Sequence, residues 1–327
     1  MAVSSPQSAT LVTGCAGFLG SHLCEALLGR GHVVRGVDCF ANRYPRALKE
    51  ANIAALRLTP GFELVELDLA SDPLEPVLDG VRTVFHLAAH PGARAGCGDS
   101  FDAHLSDNIQ ATQRLLGALA GRPLWAFVYA SSSSVYGAQD VYPAREDAPV
   151  RPLSPDGATK VITEQLAGAF WRSRQVPVVG MRYFTIYGPR QRPDMAFARF
   201  LERALAREPL PVLGDGHQVR EFTYVDDVVS ATIAAAEHGE RGTVYNVGGG
   251  EPVAVLDAIA MLQELLDRPL EVAHAPADPC EPRRTEADHS RAARDLGYRP
   301  TTPLARGLAA HLKAVERRRP VLAGAVA

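Results

Sequence analysis

The sequence predicts an α/β protein with a doubly wound parallel sheet and a smaller C-terminal lobe. Two observations carry this expectation. Short apolar runs alternate with amphipathic segments in the first half of the chain, and a glycine-rich turn follows the first of those runs. Alternating strands and helices form right-handed βαβ units, which place helices on both faces of one parallel sheet. A chain of 327 residues is long enough for one large domain or two unequal ones.

Six short runs rich in β-branched and other apolar residues are predicted to be strands of this sheet. They are residues 10–13, 33–38, 62–67, 81–87, 126–130 and 176–183. The intervening segments carry apolar residues at helical spacing. This spacing predicts helices at residues 21–29, 109–120 and 159–174.

Beyond Gly188 the composition of the chain changes, because proline and glycine become frequent and the strand segments become shorter. Helices are predicted at residues 196–207 and 255–266, separated by short loops. The predicted division is a main domain at 1–188, a lobe at 189–318 that partly returns to the sheet, and a tail at 319–327.

The charge and composition argue against several classes of protein. A net charge of −3 gives no strongly basic surface for nucleic acid or for an anionic membrane. The five cysteines are an odd number without a C-x-x-C pair, which argues against a disulfide framework or a structural zinc site. The N-terminus lacks a signal-peptide pattern, and no apolar run approaches the roughly 18 residues of a membrane span. We therefore expect a cytoplasmic protein without a metal.

The turn after the first strand has the pattern of a dinucleotide site. Gly14 permits a tight turn, Gly17 lets backbone N–H groups approach a pyrophosphate, and Gly20 lets the next helix pack closely on the strand. The pyrophosphate would lie at the positive end of that helix. Because the turn follows a strand and opens a helix, it predicts a Rossmann-type domain.

Asp38, at the end of the second predicted strand, indicates which dinucleotide is bound. Its carboxylate would accept hydrogen bonds from the adenosine ribose and would repel a 2′-phosphate. This favours NAD over NADP. Arg35 and Arg43 lie close enough in the sequence to leave NADP as an alternative.

Several further motifs resemble those of a known family. They are FHLAA at 85–89, SSSSVYG at 131–137, RYFTIYGP at 182–189, QRPDM at 191–195, REFTYVDD at 220–227 and NVGGG at 246–250. Together with the glycine turn they resemble the extended short-chain dehydrogenase/reductases, the NAD-dependent epimerases and dehydratases of nucleotide sugars. Within that family, residues 91–94 and 183–195 are most similar to UDP-glucuronate 4-epimerases.

The resemblance implies oxidation and re-reduction at C4 of the sugar. In such epimerases NAD stays bound and stores a hydride while the 4-keto sugar turns over. A Tyr-x-x-x-Lys pair on a helix supplies the base and a lysine whose charge lowers the pKa of the tyrosine. The resemblance places Ser132 beside the reacting oxygen and Lys160 at the lysine position.

The resemblance also implies the other site residues. Those expected to contact NAD are Gly14, Gly17, Phe18, Leu19, Gly20, Asp38, Asp68, Leu69, Leu87, Ala88, Ala89, Asn108, Lys160 and Tyr183. Those expected to contact the nucleotide sugar are Arg94, Ser133, Thr185, Arg192, Arg220 and Arg283. Many relatives carry Asn at the place of Thr185, and in the uronate enzymes a hydroxyl there helps to hold the sugar carboxylate.

Asp156 stands four residues before Lys160, where the family has tyrosine. Its side chain is shorter than tyrosine by about a ring length, and its reference pKa is about 3.9 against about 10, so it is a weaker base. Four explanations remain open: a substitution introduced to trap a complex, a natural divergence with Asp156 as base, another base, or loss of the redox chemistry. The candidates for another base are Tyr136, Cys97, His86 and His90.

A second departure concerns the diphosphate of the nucleotide. Relatives carry an Arg-x-Gly-Asp signature whose arginine binds it, whereas the corresponding stretch of this chain runs from Asp278 to Glu281 and has an acid at the place of the arginine. Arg283 or Arg284 could replace the missing contact. Two departures at two functional positions favour natural divergence over a single introduced substitution.

The leading hypothesis is a UDP-glucuronate 4-epimerase with Ser132, Asp156 and Lys160 as catalytic residues. A dehydratase or a decarboxylase is the alternative among enzymes, although dehydratases usually carry a carboxylate pair where this chain has Ser133 and Ser134. A silent protein that binds NAD and a nucleotide sugar is the alternative from another class.

The resemblance also implies a homodimer, because relatives commonly pair two helices of each chain in a four-helix bundle. The apolar residues compatible with such a bundle are Ile109, Leu115, Leu116, Leu119, Val161, Ile162, Leu166 and Phe170. Packing within one chain would explain the same spacing.

Overall fold

The computed structural model describes residues 8–90, 92 and 101–325. Its strands are β1 (Ala9–Thr13), β2 (Val33–Asp38), β3 (Phe62–Glu66), β4 (Val81–His86), β5 (Ala126–Ser132), β6 (Val178–Tyr183), β7 (Ile186–Tyr187), β8 (Leu210–Leu213), β9 (Val219–Glu221), β10 (Thr223–Tyr224), β11 (Thr243–Val247), β12 (Pro252–Ala254) and β13 (Val272–Ala275). Seven of them form one sheet in the order β11-β6-β5-β4-β1-β2-β3. All neighbours in this sheet are parallel, so the predicted doubly wound fold is confirmed.

Helices separate the consecutive strands of the main sheet and also occur in the C-terminal lobe. They are α1 (Phe18–Gly29), α2 (Arg46–Ile53), α3 (Glu75–Leu78), α4 (Phe101–His104), α5 (Ala111–Leu119), α6 (Pro155–Arg174), α7 (Ala196–Ala206), α8 (Val225–His238), α9 (Val255–Leu266), α10 (Ser290–Leu296) and α11 (Leu304–Ala325). A π-helical segment, Leu105–Gln110, joins α4 to α5.

Apolar layers cover both faces of the sheet. On one face, α1 and α8 contribute buried residues such as Leu23 and Val228. On the other face, α5 and α6 contribute Leu115, Leu116 and Ala167 among others. Every residue of β1 is buried, which is typical of a central parallel strand covered on both sides.

The C-terminal lobe has a separate apolar core. Phe197 and Leu201 of α7 pack there with Leu262 of α9 and Leu308 of α11. Two strand pairs, β8 with β13 and β9 with β12, complete the lobe. β11 lies outside the lobe, because it pairs with β6 in the main sheet. A strand from the second half of the chain thus lies at one edge of the main sheet.

Helix α6 begins before the predicted position 159. Ser154 is its N-cap, and its hydroxyl accepts a hydrogen bond from the backbone N–H of Gly157 at 3.1 Å. Pro155 occupies the first helical position, where its missing N–H removes no hydrogen bond. This start places Asp156 in the first turn of the helix.

Two other boundaries differ from the expectation. The helix predicted at 109–120 is preceded by α4 and the π-helical segment, so helical structure already begins at Phe101. The predicted tail at 319–327 is helical as far as Ala325, because α11 continues through it.

The cysteines and the helices bear on the other general expectations. Cys15, Cys24 and Cys39 are free thiols, whereas Cys280 is disulfide-bonded, so the expectation of a chain without disulfides fails at that position. In the described part of the chain, no helix has the length and hydropathy needed to cross a membrane.

Candidate functional site

A cavity of about 990 Å³ lies where the carboxyl ends of the sheet strands face the C-terminal lobe. Open parallel sheets bind ligands at this edge. The predicted residues that line the cavity are Gly14, Gly17, Phe18, Leu19, Gly20, Asp38, Asp68, Leu69, Leu87, Ala88, Ala89, Ser132, Ser133, Asp156, Lys160, Tyr183, Thr185, Arg192 and Arg220. The fold thus brings into one space residues that lie far apart in the sequence.

Three glycines of the turn between β1 and α1 line one end of the cavity. Gly14 has φ +70°, and a Cβ there would lie 2.9 Å from the backbone nitrogen of Ala88. A Cβ on Gly20 would overlap the carbonyl oxygen of Gly14. Gly17 is the N-cap of α1, and the first turn of that helix holds no acidic residue. The positive end of α1 is therefore available to an anion such as a pyrophosphate.

Asp38 is buried at the end of β2 and retains capacity for one more hydrogen bond. Its Oδ1 accepts from the backbone N–H of Phe40 at 2.8 Å and from Lys49 Nζ at 3.1 Å. Its Oδ2 accepts from the backbone N–H of Ala16 at 3.2 Å. A carboxylate has about four lone-pair sites, so one remains for a ribose hydroxyl.

Neither arginine near Asp38 in the sequence is placed to bind a 2′-phosphate. Arg35 donates to Glu63 Oε2 at 2.7 Å and to the carbonyl oxygens of Val77 and Asp79. Arg43 lines the cavity but pairs with Asp107 Oδ2 at 2.8 Å. Both contacts argue for NAD rather than NADP.

Asp156 and Lys160 lie one turn apart on α6, and both are buried. Burial lowers the pKa of Lys160 below its ordinary value, the charge of Asp156 raises it in part, and Arg192 lowers it further. Within the described residues, no carboxylate oxygen lies within 4.0 Å of Lys160 Nζ. Lys160 is thus a buried amine near a carboxylate, without a direct ion pair.

Ser132 lies at the end of β5 with its hydroxyl beside the cavity. Its Oγ accepts a hydrogen bond from the backbone N–H of Ser134 at 3.1 Å, which leaves the hydroxyl hydrogen for a ligand. Ser133 and Ser134 follow it along the cavity wall. The structure therefore brings Ser132, Asp156 and Lys160 to the same wall region.

Asn108 is the predicted cofactor residue that does not line the cavity. Its Oδ1 accepts from the backbone N–H of His90 at 2.6 Å, and its Nδ2 donates to the carbonyl of His90 at 3.0 Å and to Thr159 Oγ1 at 2.9 Å. It lies in the π-helical segment, a feature frequent at functional sites. Because its amide is fully used, Asn108 ties the loop after β4 to the helix that carries Lys160.

Three predicted substrate residues line the part of the cavity near the C-terminal lobe: Thr185, Arg192 and Arg220. Arg192 forms a bidentate pair with Asp194, at 3.0 and 2.8 Å. Arg220 pairs with Glu281 Oε2 at 2.9 Å. Glu281, which lies in the stretch corresponding to the family's Arg-x-Gly-Asp signature, is therefore bound to Arg220.

Arg283 does not join the other site residues. Its guanidinium forms a bidentate ion pair with Asp215, at 2.6 and 2.7 Å, and both side chains are exposed. It is not part of the cavity wall. Arg284, the other proposed substitute, pairs with Glu286. Arg94 and Cys97 lie outside the described residues.

Two of the candidate substitute bases are committed to other contacts. The hydroxyl of Tyr136 donates to Asn246 Oδ1 at 2.7 Å and accepts from Arg182 at 2.8 Å, away from this cavity. His86 lies buried between the hydroxyls of Thr13 and Thr112, and burial lowers its pKa to about 3. These contacts make Tyr136 and His86 structural residues.

Tyr183 and His90 line the cavity wall in different ways. The Tyr183 hydroxyl is directed into the core, where it hydrogen-bonds Thr232 Oγ1 at 2.8 Å. His90 lines the cavity, and its pKa is lowered by burial and by the nearby charges of Arg43 and His104, while Asp107 raises it in part. Of the described candidate bases, only His90 lies at the cavity.

Sequence reasoning missed Lys49 and His104. Lys49 lines the cavity and forms a buried ion pair with Asp38. His104 is fully buried, and its Nδ1 lies 3.9 Å from Asp156 Oδ1. A histidine far from a carboxylate in the chain carries no spacing signal, because only the tertiary fold brings α4 against α6.

Comparisons with known proteins agree with this geometry. A model of the NAD dependent epimerase/dehydratase family matches residues 10–248. A Bacillus subtilis (strain 168) protein named as an uncharacterised UDP-glucose epimerase is 41% identical over 300 residues, covering 91% of this chain and 95% of that protein. A UDP-glucuronate 4-epimerase of Thermodesulfobacterium geofontis (strain OPF15) is 33% identical over 304 residues, covering 91% and 93%.

A solved structure is similar over nearly the whole chain. It is the UDP-glucuronic acid 4-epimerase from Bacillus cereus in complex with UDP-glucuronic acid and NAD. The TM-score is 0.92 at 41% identity, with 94% of this chain and 99% of that chain covered.

Proposed function

Because the chain belongs to the NAD-dependent epimerase/dehydratase family, we propose that it interconverts the C4 epimers UDP-glucuronate and UDP-galacturonate with NAD as cofactor. The observation that carries the proposal is the composition of the cavity. The glycine turn, the group Ser132, Asp156 and Lys160, and the polar residues Thr185, Arg192 and Arg220 all line the same cavity.

The residues around the glycine turn fit the adenosine and pyrophosphate of NAD. A Cβ at Gly14 would lie against the backbone of Ala88, and a Cβ at Gly20 would overlap the backbone of Gly14, so both positions need glycine. Asp38 retains one acceptor site for a hydroxyl of the ribose. When bound there, NAD would supply the acceptor and donor of a hydride.

Residues of the chain would transfer the proton, stabilise the developing charge and bind the substrate. Ser132 would donate its hydroxyl hydrogen to the sugar O4, and Asp156, which is shorter than the family tyrosine, would accept the proton of the 4-hydroxyl through a water molecule. Lys160, a cation in a buried place, would stabilise the negative charge that develops on that oxygen. Thr185 and Arg192 would hold the sugar carboxylate, and Arg220 would bind the diphosphate.

Dehydration is not favoured by the wall of the cavity. After Ser132 the chain presents Ser133 and Ser134, and both line the cavity as neutral hydroxyls. Elimination of water would need an acid and a base at that place, and neither serine is a suitable base at neutral pH.

The proposal is tested by incubating the full chain with NAD and UDP-glucuronate and following the sugar protons by NMR. We expect UDP-galacturonate of unchanged mass to accumulate, and we expect UDP-glucose, which lacks the carboxylate, to turn over more slowly. A product that has lost water or carbon dioxide would show a dehydratase or decarboxylase. Tight binding of both ligands without any product would show a silent binding protein.

Glu281 is expected to weaken substrate binding, because it holds the arginine that the diphosphate needs. Glu281→Gln should lower KM for UDP-glucuronate by about three- to tenfold, since it removes one repelling charge while kcat stays nearly constant. Asp215→Asn is the matched control, because that carboxylate also pairs with an arginine but lies outside the cavity. A higher KM in Glu281→Gln would instead show that Glu281 orients Arg220 for the substrate.

We further propose that two copies pair through the α4 and α6 helices. Leu115, Leu116 and Leu119 are buried inside one chain against the sheet and cannot form this interface. Apolar side chains that remain exposed on α4, on the π-helical segment that follows it and on α6 are Phe101 (40%), Leu105 (40%) and Ile162 (38%), respectively. A second copy of the same face would cover them by the two-fold pairing usual in soluble oligomers.

Ile162→Glu is expected to convert a dimer into a monomer, because it places a charge in the apolar face. The measurement is the mass in solution by light scattering after size-exclusion chromatography. Trp125→Glu is the control, since Trp125 is a large exposed apolar side chain (62%) just before β5. A monomeric native chain, or a dimer that survives Ile162→Glu, would contradict this interface.

A further inference from the structure

The surroundings of Asp156 differ from those of an ordinary helix-start carboxylate. It is buried on the cavity wall, and its Oδ1 has no hydrogen-bond partner among the described residues. The imidazole Nδ1 of His104 lies 3.9 Å from that oxygen. Catalytic hydrogen bonds are often this long before the ligand binds and shorten in the complex.

His104 is a buried histidine whose hydrogen bonds are incomplete. It has no solvent exposure, and within the described chain its Nε2 has no partner. Asn108 Nδ2 lies 3.5 Å from its Nδ1, but that amide already donates both hydrogens at shorter distances, to His90 and Thr159. The Nδ1 of His104 is thus left to Asp156. Buried polar atoms without partners are uncommon and often mark a functional residue.

A row of titratable groups continues from His104 towards the surface. The rings of His104 and His90 are in contact, with their centroids 4.2 Å apart and their planes inclined by 58°. The Nδ1 of His90 lies 3.6 Å from Asp107 Oδ2, and Asp107 pairs with Arg43 at the partly exposed rim of the cavity. Two imidazoles in contact disfavour a second positive charge, and the nearby charge of His104 accordingly helps to lower the pKa of His90.

We propose that His104 is a positioning residue that, through Asp156, supplies the basicity which the missing tyrosine provides in the family. The proposal rests on the proposed function, because it concerns the base of the same reaction. When C4 loses its hydride to NAD, the proton of the 4-hydroxyl moves to Asp156 and is shared with His104. When the hydride returns, the same proton returns to O4, so no proton is consumed over a full turnover.

The reason for this pairing is the strength of the base. A carboxylate alone has a reference pKa of about 3.9, whereas imidazole has about 6.5, which is closer to neutral operating pH. The other charged groups around the pair are Lys160 on α6, Arg192 near Lys160, and Asp107 with Arg43 beside His90. Of these groups, Asp107 raises the pKa of His90 in part.

The first experiment does not need turnover. Histidine rings labelled with ¹⁵N are titrated by NMR in the native chain and in Asp156→Asn, with His104→Gln identifying the His104 signal. If the groups are coupled, loss of the carboxylate lowers the titration midpoint of His104 by at least about half a pH unit. An unchanged midpoint would overturn the pairing, whether or not the chain is an epimerase.

The second experiment is the pH dependence of kcat for UDP-glucuronate. His104→Gln is expected to lower kcat by about 30-fold or more, with KM within about threefold. It should also move the acid limb, the low-pH side of the kcat profile, from the pKa range of an imidazole towards that of a carboxylate. An unchanged kcat and acid limb would overturn the role of His104. If the native chain is inactive, the proposed function fails while the NMR result still decides the coupling.

His311→Gln is the matched control for both experiments. His311 is also buried, its Nδ1 also lacks a partner among the described residues, and burial lowers its pKa to about 3. It lies on α11 and does not line the cavity. A change of the acid limb in His311→Gln would attribute the effect to general destabilisation and would overturn the assignment to His104.

Discussion

Replacing Asp156 with tyrosine is expected to raise kcat for UDP-glucuronate by about 10²-fold, the lower end of what a positioned acid–base group contributes. A phenol at this position extends into the cavity by about one ring more than the carboxylate, so it can contact the 4-hydroxyl directly. Lys160, one turn along α6, would lower the pKa of that phenol by its positive charge. The measurement is steady-state kcat over a range of pH.

Asp156→Phe is the matched control for this substitution. It has the same ring without a hydroxyl, so it should fill the cavity equally but, without a base, be less active than the native chain. A gain of activity in both variants would mean that the cavity only needed filling. A loss of activity in Asp156→Tyr would mean that the site has been rebuilt around a carboxylate.

The Asp156→Tyr substitution also distinguishes a role of His104 in the basicity of the site from a role in the packing of α4. In the Asp156→Tyr background, His104→Gln should change kcat by less than about threefold, because the tyrosine no longer needs the imidazole. In the native background the same change should cost about 30-fold or more. Equal losses in both backgrounds would show that His104 acts on the packing of α4 and not on the base.

The fold was largely predictable because its signals are local. Alternation of strands and helices, the glycine turn and Asp38 all depend on neighbours in the chain, and the structure places them at one sheet edge as expected. The start of α6 was missed because the cap Ser154 and Pro155 precede the first apolar repeat that the periodicity detects.

The partners of the site residues were not predictable, since they depend on which elements the fold brings together. Glu281 was noted as a departure, yet its ion pair with Arg220 joins residues from two different segments of the lobe. Arg283 was expected at the substrate, but its guanidinium forms a bidentate ion pair with the exposed carboxylate of Asp215, outside the cavity. Asn108 keeps its family position while its amide is used by His90 and Thr159.

Replacing Lys160 with methionine is expected to abolish most activity and to stabilise the chain. Activity should fall by about 10²–10³-fold, because the cation that stabilises the developing alkoxide is lost. The melting temperature should rise by roughly a few degrees, because a buried amine without an ion pair is replaced by an apolar side chain of similar length.

Lys49→Met is the matched control, because Lys49 is buried in the same cavity but forms an ion pair with Asp38. Removing this partner leaves a buried carboxylate without its cation, which destabilises proteins by about 3–5 kcal/mol. The two substitutions should therefore shift the melting temperature in opposite directions. A destabilised Lys160→Met would show that Asp156 already compensates the charge of Lys160.

The pH dependence of the stability difference between Lys160→Met and the native chain identifies the cause of that difference. The pKa of Lys160 is lowered in the folded chain by burial, whereas in the unfolded chain the amine has its ordinary pKa of about 10.4. Between these two values the unfolded state binds more protons, so the stability of the native chain rises with pH through that window. The advantage of Lys160→Met should be full below the window and vanish as the pH rises above about 10.4. An advantage that stays constant with pH would come from packing, because only a titrating group loses its effect once both states are neutral.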